Sequence, residues 1–193
     1  KTTFLKMISG MTCPTSGEIS LFGYSGNEMK KMFSRIGTLI EAPGLYPNFT
    51  AYENLKLKCL CIGLNKQDYI NNLLKTVGLS DVGKKKVKNY SLGMKQRLGI
   101  AMALIGEPDL LVLDEPINGL DPQGIAEVRD TIFKLNKERN ITIIISSHIL
   151  EELSKIATNY GIIHNGELIE EMTREQLMSK CCEHIDIKLK NPE

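Results

Sequence analysis

What this chain of 193 residues lacks narrows its function before any motif is considered. It has no tryptophan, and its charges nearly cancel, with 24 Lys and Arg against 23 Asp and Glu and a formal net charge of +1. A dedicated nucleic-acid binder usually carries a basic excess, so composition argues against that class. No apolar run approaches the roughly 20 residues that span a bilayer. The longest, 98–106 and 141–145, suit buried elements of a core. Nothing resembles a signal peptide. If the protein works at a membrane, other chains do the spanning. The five cysteines (Cys13, Cys59, Cys61, Cys181 and Cys182) form no CxxC pair and read as reduced thiols, because a metal site needs a fuller ligand set.

What is present is an ordinary globular composition, 42% hydrophobic and long enough for one sizeable core. Phe4, Leu5 and Ile8 fall at helical spacing, with Gly10 placed to end the helix. A turn at 14–17 leads into a short strand at 18–22, and 36–40 reads as another. Between 50 and 63, Tyr52, Leu55, Cys59 and Ile62 share one helical face, and a second helix over 69–79 stops near Gly78. Lys84-Lys85-Lys86 reads as a solvated loop. The continuous apolar run 110–113 predicts a parallel strand buried on both faces. Residues 122–136 set Ile125, Val128, Ile132 and Leu135 on one face behind a first-turn Pro122. A second buried strand is expected at 141–145, a helix at 148–157, and a hairpin of 160–164 with 167–171 across Asn165-Gly166. Strands alternating with helices imply an α/β protein with a parallel sheet, and the mostly helical stretch from about 51 to 108 reads as an inserted subdomain.

In open α/β sheets ligands gather at the carboxyl ends of the strands. Asp114 and Glu115 follow one buried strand, and Ser146, Ser147 and His148 follow the other. Adjacent carboxylates there are costly unless a cation or proton is shared. Mg²⁺ with a nucleotide phosphate answers for Asp114 and leaves Glu115 to orient and deprotonate a water. Lys1-Thr2-Thr3 opens a helix, whose N-terminus attracts anions. A lysine followed by a hydroxyl residue is the tail of the phosphate-loop pattern, although its glycines are not in the sequence. Ser91 is a good helix N-cap, and with Gly93 it makes a second candidate anion site.

Ser91-x-Gly93-x-x-Gln96-Arg97, Leu-Leu-Val-Leu-Asp114-Glu115-Pro116, Gly119-Leu120-Asp121-Pro122 and Ser146-Ser147-His148, in this order, closely resemble the nucleotide-binding domains of ABC proteins over residues 1 to about 170. The resemblance implies a P-loop NTPase-type parallel sheet core with an inserted helical subdomain (about 51–108), occupying 1–171, and an accessory C-terminal region beginning at 172–193. It makes Lys1 the Walker A lysine, with Thr2 and Thr3 beside the phosphates and Thr2 also a Mg²⁺ ligand. Asp114 becomes the metal-binding aspartate, Glu115 the catalytic glutamate and His148 the switch histidine at the γ-phosphate. Asp121 falls in the loop at the dimer seam, and Ser91 and Gly93 in the signature that acts on the opposite subunit's nucleotide. Two such sites across a two-fold axis would sandwich two ATP molecules.

Two positions depart from the family pattern. Leu92 replaces a signature glycine, and Glu41 stands where the family has a glutamine, keeping the ability to ligate Mg²⁺ or hold a water. Glu41, followed by Leu45-Tyr46-Pro47-Asn48 and Thr50-Ala51-Tyr52-Glu53-Asn54-Leu55, is similar to the bacitracin and lantibiotic resistance exporters of Gram-positive bacteria. That resemblance implies an ATP- and Mg²⁺-dependent subunit, cytoplasmic and peripheral on the inner face of the membrane. It would act as a homodimer or pseudo-symmetric dimer on a separate transmembrane permease, which the loop of Tyr46, Pro47 and Phe49 would face, and no nucleic-acid partner is expected. An alternative is a soluble ABC ATPase acting on ribosomes or DNA; such proteins usually carry two cassettes or a long coiled-coil insert between Walker A and the signature, whereas these residues show one cassette and no sustained heptads there, which favours transport. A third reading is an inert scaffold. Both ends read as cut, because Lys1 begins inside a motif and 185–190 alternates like a strand and stops. The intact protein is therefore expected to be an ATPase, and this piece alone nearly inactive.

Overall fold

The computed structural model describes residues 1–64 and 66–181, which fall into two compact units divided between His148 and Ile149. The first unit opens with helix α1 (Thr2–Ile8). It ends in a Schellman turn: Gly10 at φ +71° donates to the Met7 carbonyl at 3.1 Å, and the Met11 N–H to the Lys6 carbonyl at 2.9 Å. The strand expected at 18–22 is shorter, β1 (Ser20–Leu21). Phe22 and Gly23, both at positive φ, turn the chain straight back into β2 (Tyr24–Ser25). A single turn, α2 (Gly26–Met29), and a 3-10 turn lead into β3 (Ile36–Leu39). Three helices follow, α3 (Ala51–Cys61), α4 (Gln67–Thr76) and α5 (Leu92–Ala103). The unit closes with β4 (Leu110–Asp114), α6 (Pro122–Arg139) and β5 (Thr142–Ser146).

Strands β3, β4 and β5 form one parallel sheet with β4 in the centre. Leu111, Val112 and Leu113 are completely buried, each contributing about 1.5–3 kcal/mol through its removal from water. Leu110 and Val112 pack against Leu5 and Ile8 of α1. Side chains alternate along a strand, so the opposite face carries Gly37 and Leu39, in register with Leu111 and Leu113. There α5 lies very close. A methyl group on Gly37 would sit 2.1 Å from the Ala103 carbonyl oxygen, and one on Gly99 would sit 2.9 Å from Leu39 Cδ1. The fully buried strand expected at 141–145 is corrected: β5 is an outer strand in this sheet, with Ile143, Ile144 and Ile145 half-buried.

Residues 51–103 carry α3, α4 and α5 and, among the described residues, no strand. Helix α3 starts in a capping box. Thr50 Oγ1 accepts from the Glu53 N–H at 3.2 Å, and Glu53 Oε2 accepts from the Thr50 N–H at 2.7 Å. The bond from the Thr50 backbone N–H, followed by one that the Thr50 hydroxyl donates to Glu53 Oε2 at 2.9 Å, holds the Glu53 carboxyl below its ordinary value. The folded state therefore gains from the box above the carboxylate range and loses that gain as pH falls through Glu53's lowered pKa. Thr50→Ala is expected to cost about 1 kcal/mol at neutral pH, with the gap to the native protein narrowing in acid. Urea titrations at two pH values would check both statements. One turn on, Asn54 is 1% exposed. Its side chain accepts from the Tyr46 N–H at 2.8 Å and donates to the Tyr46 and Thr50 carbonyls at 3.2 and 2.9 Å.

The second unit contains α7 (Leu150–Ser154), β6 (Asn159–His164), β7 (Glu167–Thr173) and α8 (Arg174–Cys181). The helix expected over 148–157 is thus a single short turn. The hairpin forms across Asn165-Gly166, both at positive φ, with an irregularity between Ile162 and Ile163. Tyr160, Met172 and Leu177 make its core. Strand β7 runs through residue 171 and pairs with β6, so the accessory region expected from 172 opens on the last two residues of a hairpin strand and on α8. The strand-like alternation at 185–190 lies outside the described residues.

Candidate functional site

The register of β4 on β5 sets Asp114 beside Ser146 at the carboxyl edge of the sheet, both 6% exposed. Ser146 Oγ donates to Asp114 Oδ1. The next residue, Glu115, has φ +48°, a left-handed conformation that costs an L-residue roughly 1–2 kcal/mol. Its N–H is held by two acceptors of one residue, Ser146 O at 3.1 Å and Ser146 Oγ at 3.0 Å. This backbone turns the Glu115 carboxylate between two cationic or polar partners: Oε1 lies 3.3 Å from Lys1 Nζ and Oε2 lies 2.8 Å from His148 Nδ1. Lys1 Nζ also donates to the Ser147 carbonyl at 2.7 Å.

The structure therefore gathers Lys1, Asp114, Glu115 and His148 at one sheet edge. Packing of α1 on β4 through Leu5 and Ile8 carries Lys1 there. Thr2 and Thr3 form the first turn of α1, where backbone N–H groups have no acceptor within the helix. Among the described residues no group of three or more His, Cys, Asp or Glu could hold a metal ion. A divalent cation here would rest on one buried carboxylate, a hydroxyl and ligand oxygens. Mg²⁺ tolerates that donor set, since it is commonly held by one or two carboxylates together with phosphates.

The remaining expected residues lie elsewhere. Glu41, at φ +62°, is exposed and ion-paired at 2.5 Å with Lys6 in the last turn of α1. Its carboxylate is engaged by an ammonium and is not part of the Lys1–Glu115–His148 group. Ser91 caps α5 by accepting from the Met94 N–H at 3.2 Å, and Asp121 caps α6 by accepting from the Gly124 N–H at 3.2 Å. These two helix starts meet: a methyl group on Gly93 would lie 3.4 Å from Gly124 Cα. Leu92, in place of the family's glycine, is exposed and lies over Gly119, with its Cδ2 3.5 Å from where a methyl group there would be.

Three residues escaped the sequence reading of the site. Ser146 was one of three polar residues after a strand, and only the register singles it out. Lys6 acts through Glu41, with no local signal. Arg97 is buried and joins three helices. It donates to the Val77 and Gly78 carbonyls at the end of α4 (3.0 and 2.8 Å) and pairs with Glu127 on α6 at 2.9 Å. The rarity of unpaired buried arginines was the available signal that it had such partners.

A family model described as ABC transporter matches residues 1–118. The chain is 49% identical over 190 residues to the bacitracin transport ATP-binding protein BcrA of Bacillus licheniformis, covering 98% of this chain and 62% of that protein. It is 45% identical over 173 residues to the lantibiotic transport ATP-binding protein SrtF of Streptococcus pyogenes, covering 89% of this chain and 73% of that protein. Among solved structures, cbiO1 from Clostridium perfringens, described as part of the ABC transporter complex cbiONQ, superposes with a TM-score of 0.82 at 27% identity. That match covers 93% of this chain and 74% of the other. No helix among the described residues is long and apolar enough to cross a membrane.

Proposed function

Because the chain belongs to the ABC transporter ATP-binding family, we propose that the protein binds and hydrolyses ATP to power a membrane transporter. The observation that carries this reading is the Lys1–Glu115–His148 group at the carboxyl edge of a parallel sheet, with Asp114 buried beside it. Lys1 Nζ and the first-turn N–H groups of α1 receive phosphate oxygens, Lys1 exchanging its Glu115 contact for one of them. Glu115 takes the proton of the attacking water on its carboxylate and holds that water in line. His148 adds a ring nitrogen on the far side of the same carboxylate. Asp114 and the Thr2 hydroxyl would hold Mg²⁺, which when bound neutralises charge on the phosphates. Ser91, Gly93 and Asp121 serve the nucleotide of a second cassette, their elements being joined through the Gly93–Gly124 contact.

The transported compound is a peptide antibiotic of the bacitracin or lantibiotic kind. The identities of 49% and 45% to proteins named for those two transports support this. Deleting the gene in its own host should lower tolerance to one of these peptides and to few unrelated drugs. Unchanged tolerance to both classes would refute the substrate.

A separate transmembrane permease is the partner, docking on the loop after β3. Tyr46 and Phe49 are 53% and 39% exposed there, with ring centroids 5.4 Å apart. The loop is nevertheless rigidly built, pinned by Asn54 and by the Val87 and Lys88 N–H groups on the Phe49 and Pro47 carbonyls (2.9 and 2.8 Å). Exposed aromatics on a fixed backbone suit an interface anchor. Truncating both rings to alanine should weaken co-purification with the permease about 10-fold or more while leaving ATP turnover of the free subunit little changed. Undiminished co-purification would place the docking surface elsewhere.

A further inference from the structure

We infer that Ser146 is a positioning residue that sets Asp114 and Glu115 with a single hydroxyl. The inference rests on the ATPase reading and concerns which residues make that site rigid. Asp114 and Ser146 are register partners across β4 and β5 and are equally buried. The Ser146 hydroxyl accepts from the Glu115 N–H at 3.0 Å and donates its proton to Asp114 Oδ1. One of its two lone pairs is thus engaged from one side and its single hydrogen committed to the other. The direction of the hydroxyl is fixed by the two neighbours it serves.

Each end of this bridge has a consequence. At Asp114, the donated hydrogen bond fixes one carboxylate oxygen and with it the plane of the group that would face the cation. At Glu115, the hydroxyl supplies the second acceptor for an N–H in a left-handed backbone. That backbone aims the carboxylate at Lys1 and His148. Alanine at 146 keeps the strand and its carbonyl, so the Glu115 N–H retains the 3.1 Å bond to Ser146 O. The hydroxyl alone is removed. Groups that orient metal ligands from behind typically account for about 10- to 100-fold in metal affinity or activity, and that is the effect assigned to Ser146.

The test compares native protein, Ser146→Ala and Ser146→Thr, with full-length protein in each case. Mn²⁺ binding in the presence of a non-hydrolysable ATP analogue is followed by electron paramagnetic resonance, and ATP turnover is measured against Mg²⁺ concentration. Ser146→Ala should bind Mn²⁺ about 10-fold or more weakly, need correspondingly more Mg²⁺ for half-maximal turnover, and lose kcat with little change in KM for ATP. Ser146→Thr, which restores the hydroxyl, should recover both. Metal binding and Mg²⁺ dependence unchanged in Ser146→Ala would overturn the inference. So would a lower kcat that tracks only a lower melting temperature, or a threonine variant as impaired as alanine. A native protein that hydrolyses no ATP would refute the ATPase reading instead, and the Mn²⁺ titration would still decide the role of Ser146.

Discussion

Glu115→Gln is expected to lower kcat for ATP hydrolysis about 100- to 10,000-fold, the range over which a positioned general base acts. The amide keeps the shape of the side chain and its place between Lys1 and His148 but accepts no proton from water. The surface pairs it weakens involve groups 39% and 56% exposed, and such pairs contribute little to stability. Nucleotide affinity and folding should therefore persist, and the variant should accumulate an ATP-bound dimer. Steady-state turnover over a range of protein concentrations, with sedimentation in the presence of ATP, reads both outcomes. Turnover within tenfold of native would mean that another group takes the proton, and Glu115 would be demoted to a holder of Lys1 and His148.

Gly37→Ala should have the largest effect on stability. The new methyl would lie 2.1 Å from the Ala103 carbonyl oxygen and 3.0 Å from Pro108 Cγ. The first is backbone at the end of α5, so no rotamer change relieves the contact. Either β3 slides along β4 or α5 lifts off the sheet, and both routes loosen packing around Leu39 and Gly99. Overpacking of this kind costs about 1–3 kcal/mol, and this case belongs at the upper end. For a domain of this size that is a fall of about 6–12 °C in Tm. Gly44→Ala is the matched control, because a methyl group there meets nothing within 4 Å. It should leave Tm unchanged or slightly raised, through a less flexible unfolded chain. Equal melting temperatures for the two variants would mean that α5 is not seated on Gly37.

The contrast between these two residues shows what was legible in the sequence. Glu115 could be found because a four-residue apolar strand announces its own end, and the chemistry sits on the next two positions. That β3, β4 and β5 lie in a parallel sheet followed from alternating periods, and the hairpin turn from Asn165-Gly166, but the order β3-β4-β5 came only with the structure. Gly37 carried no signal, since its constraint is a carbonyl on α5 that only tertiary packing brings near. The same holds for β5: its β-branched run reads as buried on both faces, but the run does not say that the strand is outermost among those described. Glu41 is expected among the metal ligands from its position in a motif, and its ion pair with Lys6 carried no local signal in the sequence. Some misses were avoidable. Thr173 and Gln176 form a reciprocal cap, with the Gln176 Oε1 accepting from the Thr173 N–H at 2.9 Å. That Thr-x-x-Gln spacing marks a helix start, yet α8 was not expected.

Arg97 has a mechanical meaning beyond its hydrogen bonds. One planar cation rivets the end of α4, the body of α5 and the flank of α6, and leaving a buried arginine without acceptors is strongly disfavoured. Asn54 fastens the Tyr46 loop to α3, and α3 rests on α4 and α5. These fastenings join the aromatic loop, through α3 and α5, to α6 and so to the turn at Asp121 from which α6 starts. The loop and that turn thus belong to one continuous chain of contacts, with Arg97 as its central tie.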